Sequence, residues 1–511
     1  MTEVGEKLYP YCDYNVWLRT CEKEVTEPLK GNITGIIPSW VNGTLLRNGP
    51  GATHVGDSKF KHLFDGSALL HRFAIKDGCA TYQCRFVRSN TYKKNRAANR
   101  ILFTEFGTAA VPDPCQTVFE RFASAFRIGE ILTDNTMVSV YPFGDEVYSL
   151  TEVPIIHRID PVTLKTMERK VLDAYVVNHT AHPHVMPNGD VYNLGMARSN
   201  NKLNHVIVKF PFTEKGDMFE KAHLVCSVPP RWSMHPSYMH SFGITENYFV
   251  LIEQSLCLSL FSFLKNQISK QPIATSLQFY PDEETCIILV DRRDLSVKRY
   301  RTDTFAFFHM INCYEENRKL VVDVCVYKDA KVIEALYVEK VEAMQSTKDF
   351  ASWTRSRAKR IEIPLDAPEM TKAEIKLLAD IGFETPKIHY EKFNGRPYRY
   401  CYGANYDADV KHSHPIVKID CKTGDILTWY DDGWSPGEPI FVAQPDAKEE
   451  DAGVLLSAMV RECAPNSSSA HDIALIMLDA RDLREVARVT FRTPTPAPKS
   501  LHGWFLPDNK D

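Results

Sequence analysis

The sequence predicts an all-β protein and, within that class, a seven-bladed β-propeller. Three observations predict it: segments typical of strands dominate, one turn motif recurs at a long and regular interval, and a set of histidines and glutamates follows the same interval. The 511 residues exceed the ~250–300 at which a single core stops growing, so the chain either divides into domains or repeats one unit. Because no Pro/Gly/Ser-rich linker interrupts it, we predict a single domain over residues 1–511.

The strand segments are short, apolar and rich in β-branched residues. Examples are "KLVVDVCVYK" at 319–328, "YFVLIEQ" at 248–254 and "HDIALIMLD" at 471–479, each of strand length. Helices are expected to be few. The two best candidates are "TKAEIKLLADIG" at 371–382 and "DPCQTVFERFASAFRIG" at 113–129.

A turn motif punctuates these strands: an apolar residue, an aspartate, two further residues and then threonine or aspartate. Its aspartates are Asp160, Asp291, Asp420 and Asp479. Their spacings fit one or two strides of about 60–65 residues, which is typical of a repeat protein. Less regular copies at 206–217, 360–369 and 71–86 bring the total to seven. Repeated antiparallel units favour a propeller of four-stranded blades; the alternative is a sandwich of unrelated hairpins.

Four histidines recur at nearly the same stride, and two glutamates fill the gap between the third and the fourth. The histidines are His182, His240, His309 and His502, and the acids are Glu384 and Glu438, with Glu152 just before the first marked turn. Inner strands of a propeller meet at its axis, so these side chains are expected to converge. Neutral imidazole binds iron, zinc, copper or nickel, and a carboxylate commonly holds the second ring nitrogen. The alternative is that each histidine is an ordinary buried residue.

Two further histidines crowd around His182 in "VVNHTAHPHVMPNGD". Only His182 follows the stride. Side chains alternate along an extended chain, so His184 is expected to point away from the axis. His179 is expected to be a loop residue rather than a metal ligand.

Composition excludes several classes of function. The net charge of −4 gives no electrostatic case for nucleic-acid binding. The N-terminal residues lack an apolar signal core, and no apolar run reaches the ~18 residues needed to span a bilayer. Thirteen cysteines without a C-x-x-C pair favour reduced thiols and a cytoplasmic location.

Several motifs resemble the carotenoid cleavage oxygenases, and the resemblance runs over nearly the whole chain. Around the histidines they are "TAHPH", "SYMHSFG", "FFHMINCYEE", "EPIFVAQPDAKEEDAGVLLSAMV" and "LHGWF". Nearer the N-terminus they are "LLRNGPG", "FDGSALLHRFAI" and "TEFGTAAVPDPC". The resemblance is greatest to the insect branch of the family.

This resemblance implies a seven-bladed propeller with a helical cap over an iron-bearing face, and ferrous iron, Fe(2+), on its axis. The implied ligands are His182, His240, His309 and His502. The implied carboxylates that orient them are Glu152, Glu384 and Glu438. Positions that line the substrate tunnel in the family correspond to Phe106, Thr151 and Tyr238.

The implied reaction is cleavage of the central 15,15′ double bond of an all-trans carotenoid by O₂. In the insect branch one half is also isomerised, so the expected products are 11-cis and all-trans retinal or their hydroxylated forms. Candidate substrates are β-carotene, zeaxanthin and lutein. The alternatives are central or eccentric cleavage without isomerisation, retinyl ester isomerohydrolysis, and a carotenoid-binding propeller without activity. The four-histidine set argues against the last, because binding alone needs no metal.

The substrate is nearly insoluble in water, so peripheral membrane association is expected. Segment 113–129 places Phe119, Phe122 and Phe126 on one helical face, and 256–264 is apolar up to Lys265; such faces insert into a membrane surface. By resemblance, both segments lie at the mouth of the tunnel, and Cys115 matches a possible acylation site. The alternative is that both segments are buried in the cap.

Overall fold

A ring of seven antiparallel sheets makes up the fold, in a computed structural model that describes residues 7–111, 133–199, 202–412, 414–463 and 467–508. The predicted seven-bladed propeller is therefore confirmed. The blades, numbered 1 to 7 in chain order, have four to six strands each. That residues 1–511 form a single domain stays a prediction.

In blades 2 to 6 the first strand lies nearest the axis and later strands step outward, whereas blades 1 and 7 each include a strand from the other end of the chain. From the outside inward, blade 1 comprises Val25–Lys30, Cys79–Phe86, Ala68–Lys76, Gly43–Pro50 and His502–Pro507. Blade 2 comprises Thr166–Val171, Ile155–Ile159, Glu146–Leu150 and Ser139–Phe143. Blade 3 comprises His223–Val228, Lys202–Phe210, Val191–Ser199 and the inner pieces Asn178–His179 and His184–Val185.

The other four blades repeat this order. Blade 4 comprises Val297–Thr302, Thr285–Asp291, Tyr248–Glu253 and Gly243–Ile244. Blade 5 comprises Glu374–Leu377, Ser356–Pro364, Lys319–Tyr327 and Ala306–Glu316, and blade 6 Ile426–Trp429, Ile416–Asp420, Tyr400–Ala404 and Glu384–Lys387. Blade 7 comprises Asn32–Gly35, Glu485–Arg492, Asp472–Asp479, Gly453–Arg461 and the inner pieces Trp434–Pro436 and Ile440–Ala443.

Helices and two small strand pairs occupy the connections. The described helices are α1 (Asn90–Ala98), α2 (Leu260–Ser269), α3 (Lys331–Ala335), α4 (Val338–Glu342), α5 (Phe350–Thr354) and α6 (Tyr390–Phe393). Short 3₁₀ turns cover Tyr14–Trp17, Leu63–Asp65, Ile273–Ser276, Met344–Ser346 and Ser468–His471. The strand pairs are Leu256–Leu258 with Leu277–Phe279 and His54–Val55 with Ser58–Lys59.

The predicted turn motifs all fall at one place, the connection between the third and fourth strands counted from the axis. The aspartate accepts backbone N–H groups that follow it: Asp160 takes those of Val162 and Thr163 at 2.9 and 2.8 Å. Such an aspartate turn satisfies the donors of a tight reversal. Its recurrence reflects one hairpin geometry at successive blades.

The core lies between blades rather than within a single sandwich. Seven buried apolar clusters each join two neighbouring blades in the described residues. Between blades 4 and 5, for example, Val250 and Ile287 pack against Val322 and Ile361. Strands are thus covered on both faces, which explains their continuous apolar runs.

The two ends of the chain close the ring. His502–Pro507 pairs with Gly43–Pro50, with His502 opposite Asn48. Asn32–Gly35, close to the N-terminus, pairs with Glu485–Arg492 in blade 7. Each end therefore completes a blade begun at the other, which leaves no open edge at the junction.

One helix prediction is wrong and another lies outside the described residues. Within 371–382 the structure has the strand Glu374–Leu377, which pairs with 359–362 as the outer edge of blade 5. Ladder hydrogen bonds and the packing of Ile375 outweigh the local helical preference. The candidate helix at 113–129, with Cys115, lies outside the described residues.

A cap of insertions covers one face of the ring. Helices α3 to α5 lie between two strands of blade 5, and the N-terminal segment packs against them through Tyr9, Cys12 and Tyr14. Val332, Leu336 and Thr354 from this insertion line a cavity together with three of the stride histidines. The predicted helical cap therefore lies over the histidine-bearing face.

Candidate metal centre

The four stride histidines reach the axis from four blades. His182 lies between the two inner pieces of blade 3, and His240 directly precedes the inner strand of blade 4. His309 lies in the inner strand of blade 5, at a register shift between Phe307 and Met310. Such a bulge redirects a side chain. His502 opens the inner strand of blade 1.

One ligand nitrogen from each of these histidines falls within 4.8 Å of the others. The Nε2 atoms of His182 and His240 are 3.0 Å apart, and the Nε2 atom of His309 is buried without a hydrogen-bond partner. A buried, unpaired ring nitrogen is costly unless something binds it. Four imidazoles with converging nitrogens fit a transition metal ion.

Three of the four imidazoles are held by the glutamates of the same stride. His240 Nδ1 is 2.6 Å from Glu152, His309 Nδ1 is 2.6 Å from Glu384, and His502 Nδ1 is 2.8 Å from Glu438. A carboxylate only accepts, so each Nδ1 carries the proton and each Nε2 presents its lone pair to the centre.

His182 differs from the other three because no carboxylate orients it. Its Nδ1 atom lies 3.4 Å from the Tyr141 hydroxyl, and its backbone N–H donates to Thr180 Oγ1 at 3.3 Å. The sequence stride offered three acids for four histidines and gave no signal for Tyr141. The tyrosine lies in the inner strand of blade 2, where it packs against Trp504 at 5.1 Å between ring centroids.

Glu438 receives more positive charge than the other two glutamates. Arg47 Nη1 donates to its Oε2 at 2.6 Å, and Gly503 N donates to the same oxygen at 3.0 Å. Lys387 Nζ lies 3.0 Å from Oε1. Burial alone would raise the pKa of Glu438, but Lys387, His502 and Arg47 hold it well below its usual range. Neither Arg47 nor Lys387 was predicted, because each reaches Glu438 from a different blade.

The electrostatics favour the neutral form of His182 and His502 and the charged form of Glu384 and Glu438. Burial lowers the pKa of His502 to about 4 despite Glu438 beside it, and burial together with the other histidines lowers the pKa of His182. Burial opposes ionisation of Glu384, yet His309 holds its pKa below the ordinary value. Neutral imidazole is the form that binds a metal.

The neighbours of His182 lie outside this group. His184 Nδ1 is 2.8 Å from the Tyr390 hydroxyl and its Nε2 is 2.9 Å from the Phe242 carbonyl. His179 is buried, with Nδ1 2.7 Å from the Thr180 carbonyl. Hydrogen bonds occupy both nitrogens of the His184 ring, whereas the Nε2 atom of His179 is buried without a partner and lies outside the group of four converging nitrogens.

An inner cavity opens above the histidines, lined mainly by apolar and aromatic side chains. It encloses about 1210 Å³, counting the part open to solvent. Phe106, Thr151 and Tyr238, the predicted tunnel residues, all line it together with His240, His309 and His502. The Tyr238 hydroxyl donates to Glu152 at 2.7 Å, so the tunnel wall and the metal centre share a hydrogen bond.

An outer cavity of about 1430 Å³ continues from the inner one. Phe64, Phe106, Thr151, Glu152 and Tyr238 line both. At its far side it reaches Leu260 and Phe263 of α2 and Leu277 in the neighbouring strand pair. The two cavities together form an apolar passage from α2 to the histidines.

Comparison with known proteins assigns the family. Residues 18–507 match the retinal pigment epithelial membrane protein family. The chain is 60% identical to the carotenoid isomerooxygenase of Galleria mellonella, over 98% of each chain. It is 39% identical to that of Drosophila melanogaster, over 98% of this chain and 94% of the other.

More distant relatives agree. The β,β-carotene 15,15′-dioxygenase of Gallus gallus is 35% identical over 96% of this chain and 97% of the other. Among solved structures, the cobalt-substituted apocarotenoid oxygenase of Synechocystis superposes with a TM-score of 0.79 at 24% identity. That match covers 97% of this chain and 98% of the other and supports the fold. The chain thus belongs to the retinal pigment epithelial membrane protein family, as the motifs around its histidines predicted.

Proposed function

We propose that this protein is a non-haem iron(II) carotenoid isomerooxygenase. It cleaves the central 15,15′ double bond of an all-trans carotenoid with O₂ and isomerises one half, giving 11-cis and all-trans retinal or their hydroxylated forms. The single observation that carries the proposal is the convergence of four histidines, three of them held by carboxylates, on an apolar passage. Two relatives that cover nearly the whole chain bear the name carotenoid isomerooxygenase.

His182, His240, His309 and His502 would hold the iron through Nε2, with Glu152, Glu384 and Glu438 orienting three of the rings. Four neutral ligands favour an ion that also binds small molecules at its remaining positions. When bound, ferrous iron supplies the activation of O₂ that ground-state dioxygen needs to react with an alkene. The glutamates offset the metal's charge, and Arg47 and Lys387 keep Glu438 ionised.

The passage suits a long polyene. Its lining is mainly aromatic and aliphatic, which binds an apolar chain by excluding water. Polar side chains such as Glu152 and Tyr238 hydrogen-bond to each other, so they do not require a polar group on the substrate. Candidate substrates are β-carotene, zeaxanthin and lutein.

Isomerisation requires that one half of the polyene be bent while the other stays straight. The Phe106 ring packs at a tilt against Phe64, at 5.8 Å between ring centroids, and edge-on against His62, at 5.0 Å. These contacts fix the ring where the two cavities meet. A rigid aromatic corner can hold a bent chain at a strain of ~1–5 kcal/mol, offset by binding of the remote ends. Phe106, Thr151 and Tyr238 are the side chains proposed to impose the bend.

Peripheral membrane association would supply the substrate. Among the described residues, no helix is both long and apolar enough to cross a bilayer. On α2, Phe261 and Leu264 are 73% and 61% exposed, while Leu260 and Phe263 on the same helix line the outer cavity. An amphipathic helix of this kind can insert its exposed apolar side chains between lipids.

The experiment is a product analysis with purified protein and all-trans β-carotene in dim light. Equal amounts of 11-cis and all-trans retinal are expected from the unmutated chain, and Phe106→Ala should change their ratio more than the total. Entirely all-trans product would reduce the function to central cleavage, as the name of the Gallus gallus relative describes. No aldehyde from an iron-loaded, folded protein would contradict the oxygenase proposal itself.

A further inference from the structure

We infer that an aromatic wall at the closed end of the passage selects which double bond is cleaved. The wall consists of Tyr14 and Trp17 from the N-terminal segment and Tyr406 after blade 6. Its role is to stop the end ring of the substrate at a fixed depth beyond the histidines. This inference rests on the proposed carotenoid cleavage, which it deepens by assigning the residues that set bond specificity.

The lining of the two cavities places the wall across the metal centre from α2. The five side chains shared by both cavities mark the side from which the outer cavity enters. Tyr14, Trp17 and Tyr406 line the inner cavity and take no part in the outer one. A polyene that enters past α2 therefore passes the five shared side chains first and meets the wall only inside the inner cavity, which also holds the histidines.

Several contacts make the wall rigid. The Trp17 and Tyr406 rings lie 6.5 Å apart in an edge-on arrangement. The Lys499 ammonium is 5.1 and 5.0 Å from their centroids and donates to Ser435 Oγ at 2.7 Å. Lys499 is almost fully buried, and burial lowers its pKa to about 7. Its side chain packs against both rings, and its protonated form adds a cation–π contact.

Tyr14 is held as firmly. Its hydroxyl donates to the Tyr406 carbonyl, and its ring packs on Phe350 of α5 and on His414, each 5.5 Å away between centroids. The wall is thus tied to the cap on one side and to blades 6 and 7 on the other. A rigid wall can fix the depth at which the end ring of the substrate stops.

A polyene needs such a stop because its middle carries no group to recognise. Every double bond along the conjugated chain presents the same apolar faces, so apolar walls bind all translational registers almost equally well. Discrimination must come from the ends. If the ring abuts the wall, the distance from the wall to the histidines determines which carbon pair receives O₂.

The products report that register directly. Cleavage breaks one carbon–carbon double bond, and each of its two carbons takes one oxygen atom of O₂ as an aldehyde. A symmetric substrate cut at its centre gives two aldehydes of equal length. A substrate that slides deeper gives a longer aldehyde from the wall side and a shorter one from the α2 side.

The test compares Trp17→Ala with the parent on all-trans β-carotene, with aldehydes identified by liquid chromatography and mass spectrometry. Loss of the indole lets the ring advance by at least one double bond, so unequal aldehydes should become the main products. Trp17→Phe and Trp17→Leu should give intermediate proportions. Trp353→Ala is the matched control, because Trp353 packs on Phe350 in the same cluster and is not among the cavity-lining side chains; its products should stay equal.

A binding measurement gives a second readout that does not depend on turnover. Metal-free parent and Trp17→Ala proteins are titrated with apocarotenoid aldehydes of increasing length, and the best-bound length should be greater for the variant. If folded, iron-loaded Trp17→Ala still yields only equal aldehydes, the wall does not set the register. If the parent makes no aldehyde at all, the proposed function fails, whereas the length preference in binding still decides the role of the wall.

Discussion

The ring of blades and the cap above it have different structural roles. In the ring, the four histidines and two of the glutamates lie near the inner edges of their blades. In the cap, α2 interrupts blade 4, α3 to α5 interrupt blade 5, and the N-terminal segment lies across the top. The repeated strands therefore position the proposed metal centre, and the single insertions complete the lining of the proposed substrate passage.

Because of this difference, the side chains of the ring and those of the cap can be substituted with separate effects. Side chains of the ring hold the proposed metal from four directions, so losing one ligand affects the whole centre. Side chains of the cap are proposed to contact the substrate or the membrane, and none of them is one of the four histidines. Substitutions in the two regions should consequently give distinct failures, which the following experiments exploit.

The largest effect is expected from removing a ligand in the ring. His240→Ala leaves three imidazoles and a Glu152 that keeps its bond from Tyr238, and both bound iron and turnover should be lost. Elemental analysis and aldehyde production measure the two. His184→Ala is the control, since its ring bonds Tyr390 and Phe242, and it should keep its iron. Full iron content in His240→Ala would rule out the four-histidine centre.

A smaller loss is expected from weakening one orienting acid. Glu438→Gln keeps the shape but removes the charge that Arg47, Lys387 and His502 share. Iron affinity or activity should fall ~10–100-fold, as determined by competition with a chelator. Glu146→Gln, which weakens the bonds that Arg158 and Tyr148 each donate at 2.6 Å on blade 2, should leave affinity unchanged. Equal effects of the two variants would contradict an orienting role.

A substitution in the cap should leave the iron content unchanged and weaken binding to membranes. Phe261→Ser with Leu264→Ser removes the exposed apolar side chains of α2, so less protein should sediment with liposomes of phosphatidylcholine and phosphatidylserine. Iron content should not change. Phe212→Ser, at an exposed aromatic between the outer strands of blade 3, is the control. Unaltered sedimentation of the double variant would mean that the substrate enters without α2.

The smallest effect concerns the joint between the two regions. His62 Nε2 donates to the Ile333 carbonyl of α3 at 3.0 Å, and its Nδ1 accepts from Phe64 N at 3.1 Å. Burial lowers the pKa of His62 from 6.5 to about 4. A histidine with a lowered folded-state pKa stabilises the fold above its unfolded pKa, and that stability is lost as the pH falls from 6.5 through 4.

His62→Gln should therefore flatten the dependence of stability on pH in that window. One proton corresponds to a slope of about 1.4 kcal/mol per pH unit. The measurement is urea denaturation of the metal-free protein at several pH values between 4 and 7. An unchanged slope would show that His62 does not titrate in this range during unfolding.

The repeated part of the molecule was predictable from the sequence and most of the inserted part was not. Asp160 and its counterparts mark one hairpin turn in successive blades, so the stride exposed both the propeller and the four histidines. Arg47, Lys387 and Tyr141 each reach the centre from a neighbouring blade, and no local sequence pattern indicates those contacts. Likewise 371–382 carried a helical pattern that the edge of blade 5 overrides.

The closure of the ring also determines when, during synthesis, the four histidines can come together. The strand that bears His502 pairs with Gly43–Pro50, yet it is the last of the described strands to leave the ribosome. At ~5–20 residues per second, a growing chain spends many seconds with three ligands and an open seam in blade 1. The fourth histidine arrives only with this strand, so the proposed metal centre is complete only after residues up to Pro507 have been synthesised.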